Sequence, residues 1–161
     1  MRKNFILNTD SYKASHFLQY PPGTTHVSSY IEARGGDFEK AIFFGLQMFI
    51  KEYLQQPVTY DDISEAKGVF EAHGVPFNEE GWKYIVQYHK GYLPIEIQAV
   101  PEGTPVAMQN ALVQVVNTDP ECAWLTSYVE TALLRSVWYP TTVATVSYSC
   151  KQSIARYLDM T

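Results

Sequence analysis

The chain has 161 residues, of which 46% are hydrophobic, 14% aromatic and 18% charged; this suffices for one packed domain over residues 1–161 and is too rich in rings for a disordered segment. A net charge of -5 repels phosphate backbones and no basic run exceeds the pair Arg2 and Lys3, which sets nucleic acid aside as a partner. No apolar run reaches the roughly 20 residues that span a bilayer, and the amino terminus lacks the order of a signal peptide, so no membrane partner and a cytoplasmic location are expected.

Asp10 is placed to cap a helix over Ser11–Tyr20, which Pro21 and Pro22 end because proline cannot continue the ladder. Val27–Arg34 reads as a strand, closed by a Gly35-Gly36 turn. Phe43–Gln55 carries Phe43, Leu46, Phe49, Ile50, Tyr53 and Leu54 at helical spacing. Thr59 with Asp62 resembles a capping box for a helix ending near Gly74, and Asn78 can cap another whose left-handed end falls at Gly91. Ile95–Val100, Thr104–Gln109 and Leu112–Asn117 are short and rich in β-branched residues, which suggests an antiparallel meander. Asp119, Pro120 and Glu121 mark the clearest helix start, with Leu125, Tyr128, Val129, Ala132, Leu133 and Ser136 facing inward until Pro140 breaks the helix and Thr141–Leu158 resumes it. The fold class is therefore α+β, a small, mostly antiparallel sheet packed with several helices.

Familiar chemistry is sparse. Gly35 and Gly36 lack the spacing of a dinucleotide loop and no phosphate-loop lysine follows them, so a turn is the expected reading. His16, His26, His73 and His89 have no metal-ligand spacing, and His89 is read as the polar edge of a packed helix. Ser147 and Ser149 have no nucleophile-elbow context. Cys122 and Cys150 are read as free buried thiols of a reducing compartment. Neither a catalytic group nor a metal site is assigned. Residues 1–58 hold 6 basic and 5 acidic side chains whereas residues 59–161 hold 6 and 12, which places any anion site in the first third.

One stretch stands out. Thr9-Asp10-Ser11-Tyr12-Lys13 puts an acid, a ring and a cation at a helix start. A tyrosine on a rigid helix can stack on a flat heterocycle, and first-turn amides favour negative charge. The commoner outcome of such a pattern is a core tyrosine behind an N-cap.

That run, followed by Gln19-Tyr20-Pro21-Pro22, resembles the opening of the nicotinamide phosphoribosyltransferases. Phe44-Gly45-Leu46-Gln47, Phe77-Asn78-Glu79-Glu80-Gly81-Trp82, Asn117-Thr118-Asp119-Pro120-Glu121-Cys122 and Trp138-Tyr139-Pro140-Thr141 resemble the same family in the same order, across essentially the whole chain. The resemblance favours the nicotinamide branch over nicotinate and quinolinate enzymes. It implies transfer of 5-phosphoribosyl from phosphoribosyl pyrophosphate to nicotinamide, with magnesium assisting, ATP coupled and a homodimer as the working unit. It also implies that Tyr12 stacks on the nicotinamide ring in the partner's site, that Arg34 reaches substrate phosphate across the same interface, and that Asp10 orients this corner as cap or polar neighbour.

By the same resemblance, this is the amino-terminal part of a type II phosphoribosyltransferase whose α/β barrel is not included, so residues 1–161 alone are expected to be inactive. The connection after Arg34 is shorter than in vertebrate-like members. The surface left bare by the barrel is expected to be apolar and to favour pairing. Two other readings stay open at this point, a stand-alone non-catalytic binding or pairing module, and part of a nicotinate phosphoribosyltransferase.

Overall fold

The computed structural model describes residues 4–160, and the Arg2 and Lys3 pair lies outside them. The architecture is α+β, a three-stranded antiparallel sheet and a two-stranded ribbon packed with helices. Strand β5 (Ala111–Asn117) is central, between β1 (Ser28–Glu32) and β3 (Ile95–Ala99). Its register sets Val116 opposite Ser28 and Val113 opposite Ile31 on one side, and Asn117 opposite Ile95 on the other. Leu112, Val113 and Val115 are buried, so the strand richest in valine is the one flanked on both edges.

The expected meander through residues 95–117 does not form. β4 (Pro105–Ala107) leaves the sheet and pairs with β2 (Lys40–Ile42), a strand that the sequence pattern does not show. Pro105 has no N–H to give to a ladder. Gln109 takes φ 62° to bring the chain back into β5, and its N–H donates to the Ala33 carbonyl at 2.8 Å.

Helices begin where local chemistry is complete. Thr59 and Asp62 form the reciprocal capping box of α2 (Tyr60–His73), with the Thr59 N–H 2.8 Å from Asp62 Oδ2. The Asn78 side chain accepts the Gly81 N–H at 3.1 Å to open α3 (Glu79–His89), and Lys90 and Gly91, at φ 55° and 82°, end it. The helix expected over Phe43–Gln55 is shorter: α1 spans Leu46–Phe49 and widens into a π turn over Ile50–Leu54. Glu102, in the turn between β3 and β4, starts it, its Oε1 accepting the Gly45 and Gln47 N–H groups at 2.9 Å each.

A 3-10 turn over Pro120–Cys122 leads into α4, Leu125–Leu158. The break expected at Pro140 is absent: α4 runs through the proline with segment 42–45 packed and hydrogen-bonded against it. Thr145 Oγ1 accepts the Ile42 N–H at 2.9 Å and Thr141 Oγ1 accepts the Phe44 N–H at 3.1 Å, so segment 42–44 is bonded to α4 just beyond the proline. Gly45 packs closely on the Ser136 carbonyl, whose usual i+4 donor is missing because Pro140 lacks an N–H. Leu125, Tyr128, Val129, Ala132, Leu133 and Val137 bury one stripe of α4, and Trp82, Trp124 and Tyr128 meet edge to face with centroids 5.0–5.7 Å apart. Beyond Thr145 the helix runs out from this core, exposing Val146, Tyr148, Ile154, Tyr157 and Leu158. Cys150 lies in that exposed stretch, so only Cys122 of the two thiols is buried as expected. No helix among the described residues is long and apolar enough to cross a membrane.

Candidate functional site

The corner singled out in the sequence is a 3-10 helix over Ser11–Leu18, shorter and tighter than the Ser11–Tyr20 helix expected. Asp10 occupies its N-cap position but makes no side-chain cap; the carboxylate instead accepts the Thr131 hydroxyl of α4 at 2.7 Å. Asp10 is thus the polar neighbour rather than the cap. Three further contacts fasten the corner to the same turns of α4. Thr9 Oγ1 donates to the Tyr128 carbonyl at 3.0 Å, His16 Nδ1 lies 3.1 Å from Ser127 Oγ, and Lys13 Nζ lies 2.5 Å from Glu130 Oε2.

A 3-10 helix has three residues per turn, so adjacent side chains diverge by about 120°. Lys13 and Ala14 are buried, and Tyr12 therefore faces outward, 57% exposed. The pattern-based alternative of a core tyrosine is not what forms. The ring lies 5.3 Å from the His16 ring, with the Lys13 ammonium 5.9 Å from its centroid. Behind it, burial pushes the Tyr20 phenol up against a Ser127 hydrogen bond that pulls it down, and the Glu130 charge adds to the rise.

Arg34 is exposed two residues past β1, at the rim of a cleft of about 400 Å³ between β1, β5 and α4. Ser29, Ile31, Val115, Thr126, Glu130 and Leu133 line it. Gly35 and Gly36 both have φ 147° and nothing within 4 Å of an added β-carbon, so they make an open turn rather than a closed cradle. Glu130 therefore belongs to both neighbourhoods, bonded to Lys13 beside Tyr12 and lining the cleft beside Arg34. Pattern reasoning missed Glu130, an exposed helix acid with no local partner to single it out.

Of the acids near these residues, Asp10 accepts from Thr131 and Glu130 pairs with Lys13, while Glu32 lines the same cleft as Arg34 and Glu130. A different group, His89, Asp119 and Cys122, brings one ligand atom each within 4.8 Å of one another. Its bonds are already made. Asp119 Oδ2 accepts the Tyr84 hydroxyl at 3.0 Å and lies 2.7 Å from His89 Nε2, while Oδ1 accepts the Glu121 N–H at 2.9 Å. Burial would raise the Asp119 carboxyl, but the Glu121, His89 and Tyr84 hydrogen bonds outweigh it and hold the group below the ordinary carboxylate range. Burial, with the nearby Asp119 and Glu121 charges, pushes the Cys122 thiol up to about 12. A protonated thiol beside a satisfied carboxylate is a pin joining α3 to the start of α4, and His89 is the polar helix edge expected.

The family model of the nicotinamide phosphoribosyltransferase N-terminal domain matches residues 4–97. The chain belongs to that family. A nicotinamide phosphoribosyltransferase of Xanthomonas campestris pv. campestris is 54% identical over 158 residues, covering 98% of this chain and 34% of the relative. One of Acinetobacter baylyi is 34% identical over 172 residues, covering 97% of this chain and 34% of the relative. The chain thus spans about a third of the length of these curated relatives. The crystal structure of human nicotinic acid phosphoribosyltransferase shares the fold, with TM-score 0.61 and 23% identity over 85% of this chain and 26% of that one.

Proposed function

We propose that this domain serves phosphoribosyl transfer to nicotinamide by lending Tyr12 and Arg34 to a pocket that a neighbouring subunit completes. The observation that carries this reading is the outward Tyr12 ring on a corner bonded at four points to α4, in a chain of this family. A ring held that firmly can cover a flat pyridine at little entropic cost. The Arg34 guanidinium suits phosphate oxygens, which it can meet two at a time. Transfer from phosphoribosyl pyrophosphate asks for such parts, a clamp on the acceptor ring and neutralisation of the leaving pyrophosphate. Asp10 serves as the tether that orients the corner.

Nicotinamide is preferred to nicotinate because the curated relatives carry that name. The homodimer, the cytoplasmic location, coupling to ATP and a magnesium ion held by groups other than Asp10 and Glu130 are parts of the same proposal. The exposed apolar face of α4 supports pairing.

The test uses an active enzyme that carries this sequence as its amino-terminal domain. Tyr12→Ala is expected to raise the nicotinamide KM by about 3- to 10-fold through lost stacking. Arg34→Ala is expected to raise the phosphoribosyl pyrophosphate KM by about 10-fold or more. Residues 1–161 alone are expected to form no nicotinamide mononucleotide. Parent-like kinetics for both variants would remove the two residues from the site.

A further inference from the structure

We propose that Lys13 and Glu130 act as a positioning pair, one member aiming the Tyr12 ring and the other keeping the Arg34 cleft receptive to anions. The proposal deepens the phosphoribosyl-transfer reading and rests on it. Its basis is an asymmetry of burial within one ion pair: the Lys13 side chain is 3% exposed and that of Glu130 is 50% exposed. A pair between two exposed groups contributes little. Here the ammonium sits under the corner, 2.5 Å from Glu130 Oε2 and 3.4 Å from the Ser127 carbonyl, while the carboxylate opens onto the cleft that Arg34 borders.

The two halves therefore fail in different ways. Without Glu130 the ammonium is a buried cation lacking its counter-charge, and it must move toward water. Lys13 is bonded through the backbone to Tyr12 in a three-residue turn, so this movement rotates the ring off its present direction. Without Lys13 the turn loses its inward anchor, and Glu130 is left as an uncompensated carboxylate in the cleft. That charge repels a phosphate and competes for the guanidinium of Arg34. Loss of either partner should disturb the ring, but only loss of the lysine should also disturb the phosphate.

Kinetics of Glu130→Gln, Glu130→Asp and Lys13→Met in an active enzyme carrying this sequence, together with thermal unfolding, test this. Glu130→Gln and Lys13→Met are each expected to raise the nicotinamide KM by about 3- to 10-fold. The phosphoribosyl pyrophosphate KM should rise by a similar factor in Lys13→Met, yet stay within about twofold in Glu130→Gln. Glu130→Asp should recover part of the nicotinamide KM. Should Glu130→Gln fail to fold, the Lys13→Met, Glu130→Gln double variant removes the buried charge, and it should raise the nicotinamide KM alone. Equal changes in both KM values in Glu130→Gln or in the double variant, or lower kcat with unchanged KM and a lower unfolding midpoint in any of the variants, would reduce the pair to scaffold and overturn the proposal. If Tyr12→Ala raises the nicotinamide KM and the pair variants do not, the positioning role alone falls. If Tyr12→Ala has no effect, the transfer reading falls and takes this proposal with it.

Discussion

Gly45→Ala is expected to destabilise the protein by about 3 kcal/mol or more, among the largest losses any single methyl group could cause here. Gly45 has φ 110°, and a β-carbon there would lie 2.2 Å from the Ser136 carbonyl oxygen and 3.0 Å from Pro140 Cγ. Two penalties combine, the backbone conformation and the collision. Neither neighbour can yield cheaply, since one is helix backbone and the other a proline ring within α4. The Gly45 N–H is also bonded to Glu102, so the chain cannot swing away without uncapping α1. For a chain of this size the loss corresponds to a fall in Tm of about 6–12 °C. A parent-like unfolding midpoint would mean that segment 42–45 does not lie against α4 as described.

That same contact marks the limit of what local pattern reveals. The Thr59 and Asn78 caps were legible because each is complete within four residues. The continuity of α4 was not, because the segment that braces it around Pro140 comes from residues 42–45, about a hundred positions away in the chain. The same holds for β4. Its short, β-branched character suits a meander strand, but Pro105 and the left-handed Gln109 send it to Lys40–Ile42, too short a segment to show a period.

The site divides along the same line. The family resemblance pointed to Tyr12 and Arg34, and the family itself is borne out by the match over residues 4–97. What local pattern could not tell was which of Tyr12 and Lys13 would be buried. Hydrophobicity favours burying the tyrosine, but the lysine goes inside because a carboxylate 117 residues away meets it there. Asp10 misled for a related reason. An acid before a helix start is the usual sign of a cap, yet a hydroxyl on α4 takes the carboxylate first.

Asn117→Asp should be the most damaging isosteric change, costing about 4 kcal/mol or more at neutral pH. Asn117 ends β5 at 1% exposure, and every arm of its amide is used. Its Oδ1 accepts the Val27 N–H at 2.8 Å, and Nδ2 donates to the Thr25 carbonyl at 2.9 Å and the Asp119 carbonyl at 2.8 Å. One side chain thus joins the entry to β1, the end of β5 and the turn that starts α4. Aspartate keeps the shape and reverses the chemistry, aiming a carboxylate oxygen at two carbonyl oxygens with no water between them. Burial and those carbonyls would raise the new carboxyl above its unfolded value of about 3.9. The folded variant then binds more protons than the unfolded chain across that interval, so its stability falls as pH rises. The gap between parent and variant should accordingly be smallest near pH 4 and widen through the raised folded value. Urea unfolding of both proteins across that range reads the gap directly, and a gap independent of pH would show that position 117 stays in contact with water.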